Sequence, residues 1–247
     1  MDTATVLAGA GPATPPRRVA PHPLRAVLFD LDGTLLDIDG EGFLDAYVDL
    51  VVEAWAPQDA DAFRAQLMAA SVAFFRSDGG RTNGEAFRTA LAGFLEQTPE
   101  AIADRLADIH RTALPRVALR GRPVEGARAC VQGCLRLGLQ VAVATTPIYM
   151  PEVIALRLRW AGLDDLPWDL VTHSENMHTC KPDPAYFQEA AAQLTTPPAS
   201  CLMVGDDPMQ DGPARRAGML AVIGEPGVPA RRLLAQAEAA VAASRPA

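Results

Sequence analysis

Short apolar runs alternate along this chain with stretches whose apolar residues recur every three or four positions. "LRAVLFDLD" (24–32) is rich in β-formers and bounded by Gly33, which predicts a buried strand. "LQVAVATTP" (139–147), "WDLVTHSE" (168–175), "CLMVGDD" (201–207) and "MLAVIGE" (219–225) read the same way. Helical segments separate them. One over 124–137 ends at Gly138, a second opens at Asp183-Pro184 as cap and first-turn proline, and a short third closes at Gly218. Strands that alternate with helices predict an α/β fold, a Rossmann-like doubly wound parallel sheet covered on both faces.

The interval 38–118 breaks that alternation. "GFLDAYVDLVVEAWA", "DAFRAQLMAASVAFFR", "GEAFRTALAGFLEQ" and "PEAIADRLADIHRTAL" all carry apolar residues at helical spacing, and Thr98-Pro99 repeats the cap-then-proline signal. The expected organisation is a flexible Ala/Pro-rich tail over 1–23, a catalytic core over 24–37 and 119–247, and an inserted all-helical cap domain over 38–118. Trp55, Phe63, Phe74, Phe75, Phe87 and Phe94 are read as core of that insert. Arg76, Arg81 and Asn83 fall in "RSDGGRTN", read as a solvated turn between two of its helices.

In an open parallel sheet, ligands bind outside the carboxyl ends of the strands. The first run delivers Asp30 and Asp32 there, the second Thr145 and Thr146, the loop after the third Lys181, and the fourth Asp206 and Asp207 with Asp211 close behind. Residues i and i+2 of a strand share a face, so Asp30 and Asp32 can address one site. So many carboxylates together need a counter-ion. Mg²⁺ suits them, because it takes oxygen ligands and is commonly held by one or two carboxylates plus substrate phosphate. A carboxylate can also attack phosphorus to form an aspartyl-phosphate, and a second can protonate the leaving alcohol and then deprotonate water.

Composition narrows the partners. The 247 residues carry a net charge of −8, which makes nucleic acid or an anionic membrane an unsuitable main partner. Among 22 Lys plus Arg there is one lysine, Lys181. In so arginine-rich a chain, a lysine persists where a compact point charge is needed, such as beside a phosphate and a carboxylate. Cys130, Cys134, Cys180 and Cys201 form no C-x-x-C pair and are read as reduced thiols, and no apolar run reaches the length of a membrane span. Arg17-Arg18 is followed by "VAPHPL" and the first strand, not by a signal's apolar segment, so the expected location is the cytoplasm.

"DLDGTL" (30–35), the threonine ending "VAVATT", "KPDP" (181–184) and "GDDPMQD" (205–211), in this order, resemble the four motifs of the haloacid dehalogenase-like superfamily. The resemblance spans about residues 24 to 225, and the helical insertion resembles that superfamily's C1 cap, a type that closes over the site and selects substrate. It implies Asp30 as nucleophile, Asp32 as general acid/base with its backbone carbonyl on Mg²⁺, and Thr145 as a phosphoryl-binding hydroxyl. It further implies Lys181 as the cation steadying nucleophile and phosphate, and Asp206 as acidic metal ligand with Asp207 or Asp211 as the second acid. Thr146 stands where many members carry asparagine. The dehalogenase branch lacks an aspartate at the position of Asp32, so the resemblance implies the phosphatase branch.

The function expected is therefore Mg²⁺-dependent hydrolysis of a small phosphorylated metabolite. Two alternatives stay open: a phosphomutase of the same superfamily, and a non-catalytic binding or regulatory protein that keeps the fold. Composition leaves the oligomeric state open. Asp37 and Asp39 are read as structural residues at the start of the insert, and His22, His110, His173 and His178 lack zinc-ligand spacing.

Overall fold

The computed structural model describes residues 23–76, 79–224 and 229–244, so the N-terminal tail lies outside the described residues. Its core is a parallel five-stranded sheet. In chain order the strands and the ribbon beside them are β1 (Ala26–Phe29), β2 (Leu36–Asp37), β3 (Arg122–Pro123), β4 (Gln140–Val143), β5 (Leu170–Val171), β6 (Cys201–Gly205) and β7 (Leu220–Ile223). The sheet order is β5-β4-β1-β6-β7, while β2 and β3 form a separate antiparallel pair. This is the Rossmann-like arrangement expected from the alternation.

Strand β1 is central because it can be: all four of its residues are fully buried and apolar, which suits a strand covered on both faces. Its last residue, Phe29, pairs in register with Val143 of β4 and Val204 of β6. The polar residues that follow these three strands therefore emerge side by side.

Helices α1 (Gly40–Trp55), α2 (Ala60–Ser71), α3 (Asn83–Leu95) and α4 (Pro99–Thr112) fill the interval between β2 and β3. Their sequence predicts their ends well. Asp39, Asp59 and Thr98 each accept a backbone N–H as N-caps, and Thr82 with Glu85 forms a capping box. The four helices enclose their own apolar cluster, with Phe63 and Leu91 buried in it and the Trp55 ring tilted against Phe63 at 5.0 Å. Helices α5 (Ala127–Arg136), α6 (Pro151–Ala161), α7 (Pro184–Gln193) and α8 (Ala230–Ala243) belong to the sheet. All four cysteines are free and buried. No helix among the described residues is long and apolar enough to cross a membrane.

Three readings of the insert change. Phe75 is 60% exposed, because it directly follows Phe74 in a 3-10 turn (Val72–Phe75) and both rings cannot face the same core. Phe94, in the last turn of α3, is also uncovered. Asn83 is no solvated turn residue: it is fully buried, and its Nδ2 donates to the carbonyls of Pro147 (3.3 Å) and Thr179 (3.2 Å). The reason is the start of α3. Its first N–H groups have no partner inside the helix, and those of Asn83 and Gly84 donate to Met177 O and Ser174 O of the sheet's loops, each at 2.8 Å.

Two glycines make room for the acids. A Cβ on Gly33, whose φ is +75°, would sit 2.1 Å from Asp206 Oδ2, and one on Gly205 would sit 2.0 Å from Asp211 Oδ2. Gly138 has a similar φ of +73° with nothing within 4 Å. Gly138→Ala should cost only the left-handed backbone penalty of about 1–2 kcal/mol, a midpoint loss of roughly 2–8 °C for a chain of this size. Gly33→Ala should cost clearly more in the same thermal melt, and equal losses would mean that the contact with Asp206 is relieved without strain.

Candidate active site

Beyond the carboxyl ends of β1, β4 and β6 the chain gathers most of its buried charge. Asp30 follows β1, its N–H held by Val204 O at 2.8 Å. Lys181 Nζ donates to Asp30 Oδ1 at 2.7 Å and to Asp211 Oδ1 at 2.6 Å, with its side chain 1% exposed. Asp206, following β6, accepts from Thr34 Oγ1 at 3.1 Å. One oxygen each from Asp30, Asp206 and Asp211 lies within 4.8 Å of the others. Asp207 stands apart from this group. Its Oδ1 accepts from the amides of Met209 (2.7 Å) and Gln210 (3.2 Å), so it shapes the turn that carries Asp211 inward.

The charge balance of this cluster is unequal: three carboxylates face a single ammonium. Burial pushes the Asp30 carboxyl up to about 7; Lys181 opposes that rise and Asp211 adds to it. Asp206 is raised as well, chiefly by burial. Burial works against the charge on Lys181, but Asp211 and Asp30 outweigh it and hold the ammonium protonated far above its usual range. A divalent cation would neutralise the remaining excess. The donors are all oxygens, which fits a hard ion of the Mg²⁺ type and not a thiolate- or imidazole-seeking one.

Thr145 is buried at the end of β4, and its carbonyl is fixed from below by Tyr186 Oη (2.8 Å) and Thr172 Oγ1 (2.9 Å). Neither partner was legible as part of a site in the sequence, since a buried tyrosine on an apolar helix face reads as packing. Thr146 follows, half-buried, its carbonyl accepting from the amide of Ile148 at 2.9 Å.

Asp32 does not join the carboxylate cluster. Its Oδ2 meets Nη2 of Arg157 in an ion pair, and its side chain stays 31% exposed while that of Arg157 is 1% exposed. The guanidinium lies against the rings of Phe43 (4.8 Å) and Tyr149 (5.0 Å), and its Nε and Nη1 have no hydrogen-bond partner among the described residues. Burial lowers its pKa to about 10, with the charge of Asp30 acting in the opposite direction, so it remains a cation at neutral pH. Sequence reasoning passed over Arg157. The available signal was its position: with Ile154 and Ala161 it falls on the buried stripe of α6, where an arginine is out of place.

The model of one family, described as haloacid dehalogenase-like hydrolase, matches residues 24–218. The chain belongs to the haloacid dehalogenase-like hydrolases. A curated relative, phosphoglycolate phosphatase of Thiobacillus denitrificans, is 27% identical over 207 residues, covering 80% of this chain and 82% of its own. Among solved structures, CbbY of Rhodobacter sphaeroides in complex with phosphate is similar at 20% identity and a TM-score of 0.48, over 83% of this chain and 87% of that one. L-2-haloacid dehalogenase of Xanthobacter autotrophicus is similar at 22% identity and a TM-score of 0.45, over 80% and 76% respectively.

Three predictions test the electrostatics of this hydrolase site. Mg²⁺ titrated calorimetrically should bind more tightly as pH rises through about 7, where Asp30 loses the proton that competes with the cation, and should release protons on binding below that pH. Asp206→Asn should weaken binding by ~10-fold or more while Asp207→Asn changes it little, because only the former supplies a cluster oxygen. Arg157→Met should lower the thermal midpoint, since it leaves Asp32, whose Oδ1 is already buried without a hydrogen-bond partner, with no counter-charge. An unchanged or higher midpoint would show that the ion pair does not stabilise the fold.

Proposed function

We propose that this hydrolase is a Mg²⁺-dependent phosphomonoesterase that works through an aspartyl-phosphate on Asp30. The observation that carries the reading is the pair of aspartates leaving the central strand: Asp30 beside the Lys181 ammonium at 2.7 Å, and Asp32 turned away from it to its own cation, Arg157. Two carboxylates in such different surroundings are suited to two roles, with the Arg157 ion pair opening for Asp32 to take up a proton. The family membership supports hydrolysis, and the name of the 27% identical relative, phosphoglycolate phosphatase, supports a phosphate ester as substrate class.

In this reading Asp30 Oδ attacks the phosphorus as the bond to the leaving alcohol oxygen breaks, and Asp32 gives that oxygen its proton. Water then attacks the phosphorus of the aspartyl-phosphate, Asp32 takes the proton back, and inorganic phosphate leaves with the Asp30 carboxylate restored. Thr145 Oγ1 and Lys181 Nζ hold the phosphoryl oxygens, and Thr146 borders them. Asp30, Asp206 and Asp211 with the Asp32 carbonyl would hold the Mg²⁺. When bound, the cation supplies charge neutralisation for the phosphoryl group and keeps Asp30 ionised.

The helical insert acts as a cap in this scheme, anchored to the core through Asn83 and Gly84 and excluding water from the reacting groups. The partner is a small phosphorylated metabolite, with no role for nucleic acid or membrane, in agreement with the net charge of −8. The four unpaired thiols suit a reducing, cytoplasmic setting.

Hydrolysis of an aryl phosphate should require both Mg²⁺ and Asp30. EDTA should abolish it, and Asp30→Asn should lower it by about a thousandfold or more. Full turnover by Asp30→Asn would overturn the reading.

A further inference from the structure

Between the helical insert and the sheet's loops lies a cavity of about 260 Å³. That exceeds the ~150 Å³ apolar cavity known to admit a benzene molecule. Most of its wall is aliphatic or aromatic, with Leu44, Val51, Leu67, Phe74, Phe87 and Met150 contributing from both sides.

Most of the polar side chains that reach it are already engaged. Tyr47 Oη bonds His110 Nε2 at 2.7 Å, and Ser71 Oγ donates to Met68 O at 2.7 Å. Ser174 Oγ donates to Glu175 Oε1 at 3.1 Å, and the same oxygen takes Arg88 Nη1 at 2.6 Å. Arg88 is the one cation among the described lining residues, and Glu175 neutralises it. A second anionic group on a ligand would find no free positive charge here, and a polyhydroxylated one would strip water without replacement bonds.

The cavity adjoins the catalytic edge at two places. Tyr149 lines it and lies 5.0 Å from the Arg157 guanidinium that pairs with Asp32, the group assigned to the leaving oxygen. Phe74 and Phe75 line it as well and also line a neighbouring cleft that contains Lys181. An ester with phosphorus at Asp30 and its leaving oxygen at Asp32 therefore has this apolar space beside it for the rest of the alcohol.

We propose that the cavity receives the alcohol part of the substrate and that this part is apolar, of aryl or branched or linear alkyl character, so that the enzyme's substrates are hydrophobic phosphomonoesters. The inference rests on the phosphomonoesterase reading and adds the substrate class to it. Polar, doubly charged two-carbon or sugar phosphates are disfavoured by the same wall.

The test is kcat/KM across n-alkyl phosphates from ethyl to octyl with saturating Mg²⁺, beside glycolate and sugar phosphates of matched size. The expected result is a rise of about fourfold for each methylene until the cavity is full, carried mainly by a falling KM. A flat or falling series, or a preference for the doubly charged or sugar esters, overturns the inference. A second measurement involves no chemistry: 1-hexanol should raise the thermal midpoint and hexane-1,6-diol should do so less, and a cavity-filling Val51→Phe should abolish the difference. Equal effects of the two alcohols on the wild type overturn the apolar assignment. Failure of every phosphate to turn over, with hexanol still preferred, overturns the phosphomonoesterase reading and with it the substrate class, while the cavity stands as an apolar ligand site.

Discussion

The bridge that Lys181 makes between Asp30 and Asp211 is the interaction on which the rest of this site depends. Two carboxylates and an ammonium, all nearly or fully buried, cannot be left unpaired without a cost of several kcal/mol per ion. Their positions are consequently over-determined. Asp30 is set by the central strand, Asp211 by the turn that Asp207 caps, and Lys181 by the loop before α7. Tyr186, one turn into that helix, lies 5.9 Å beneath the ammonium and fixes the Thr145 carbonyl, so the cation and the β4 edge are joined through one ring.

A second buried cation, Arg157, organises the neighbouring aspartate by different means. Lys181 donates two hydrogen bonds to carboxylates, whereas Arg157 lies against two aromatic rings with nitrogens to spare. The rings come from both parts of the molecule, Phe43 from α1 of the insert and Tyr149 from the loop after β4. Asp32 is thereby tied to the contact between insert and core, and Tyr149 of that contact also lines the apolar cavity.

The insert is anchored at the start of α3, and the physical cause is a general property of helix ends. Unpaired N–H groups of Asn83 and Gly84 meet loop carbonyls that the sheet leaves free, and the absence of a side chain on Gly84 permits Glu175 to approach. Arg88 then closes on Glu175 from one turn further along.

Local chemistry, readable from the order of residues, determined the elements and the strand-end motifs. Apolar runs ending in Asp30, Thr145 and Asp206 announced a parallel sheet with its polar groups on one edge, and Asp39, Thr98 and Asp183 announced helix starts, because periodicity and capping act over a few residues. The unique lysine was conspicuous for the same reason. Tertiary structure alone placed Asp211 and not Asp207 beside Asp30 and Asp206, because their spacing suits either and only the turn's direction sends one inward. It alone brought Arg157 to Asp32 and Asn83 to the loops of the core, across 125 and 96 residues, counting from Asp32 to Arg157 and from Asn83 to Thr179. Contacts between positions so far apart leave no pattern in their neighbours, and they exist only once the sheet and the insert have packed.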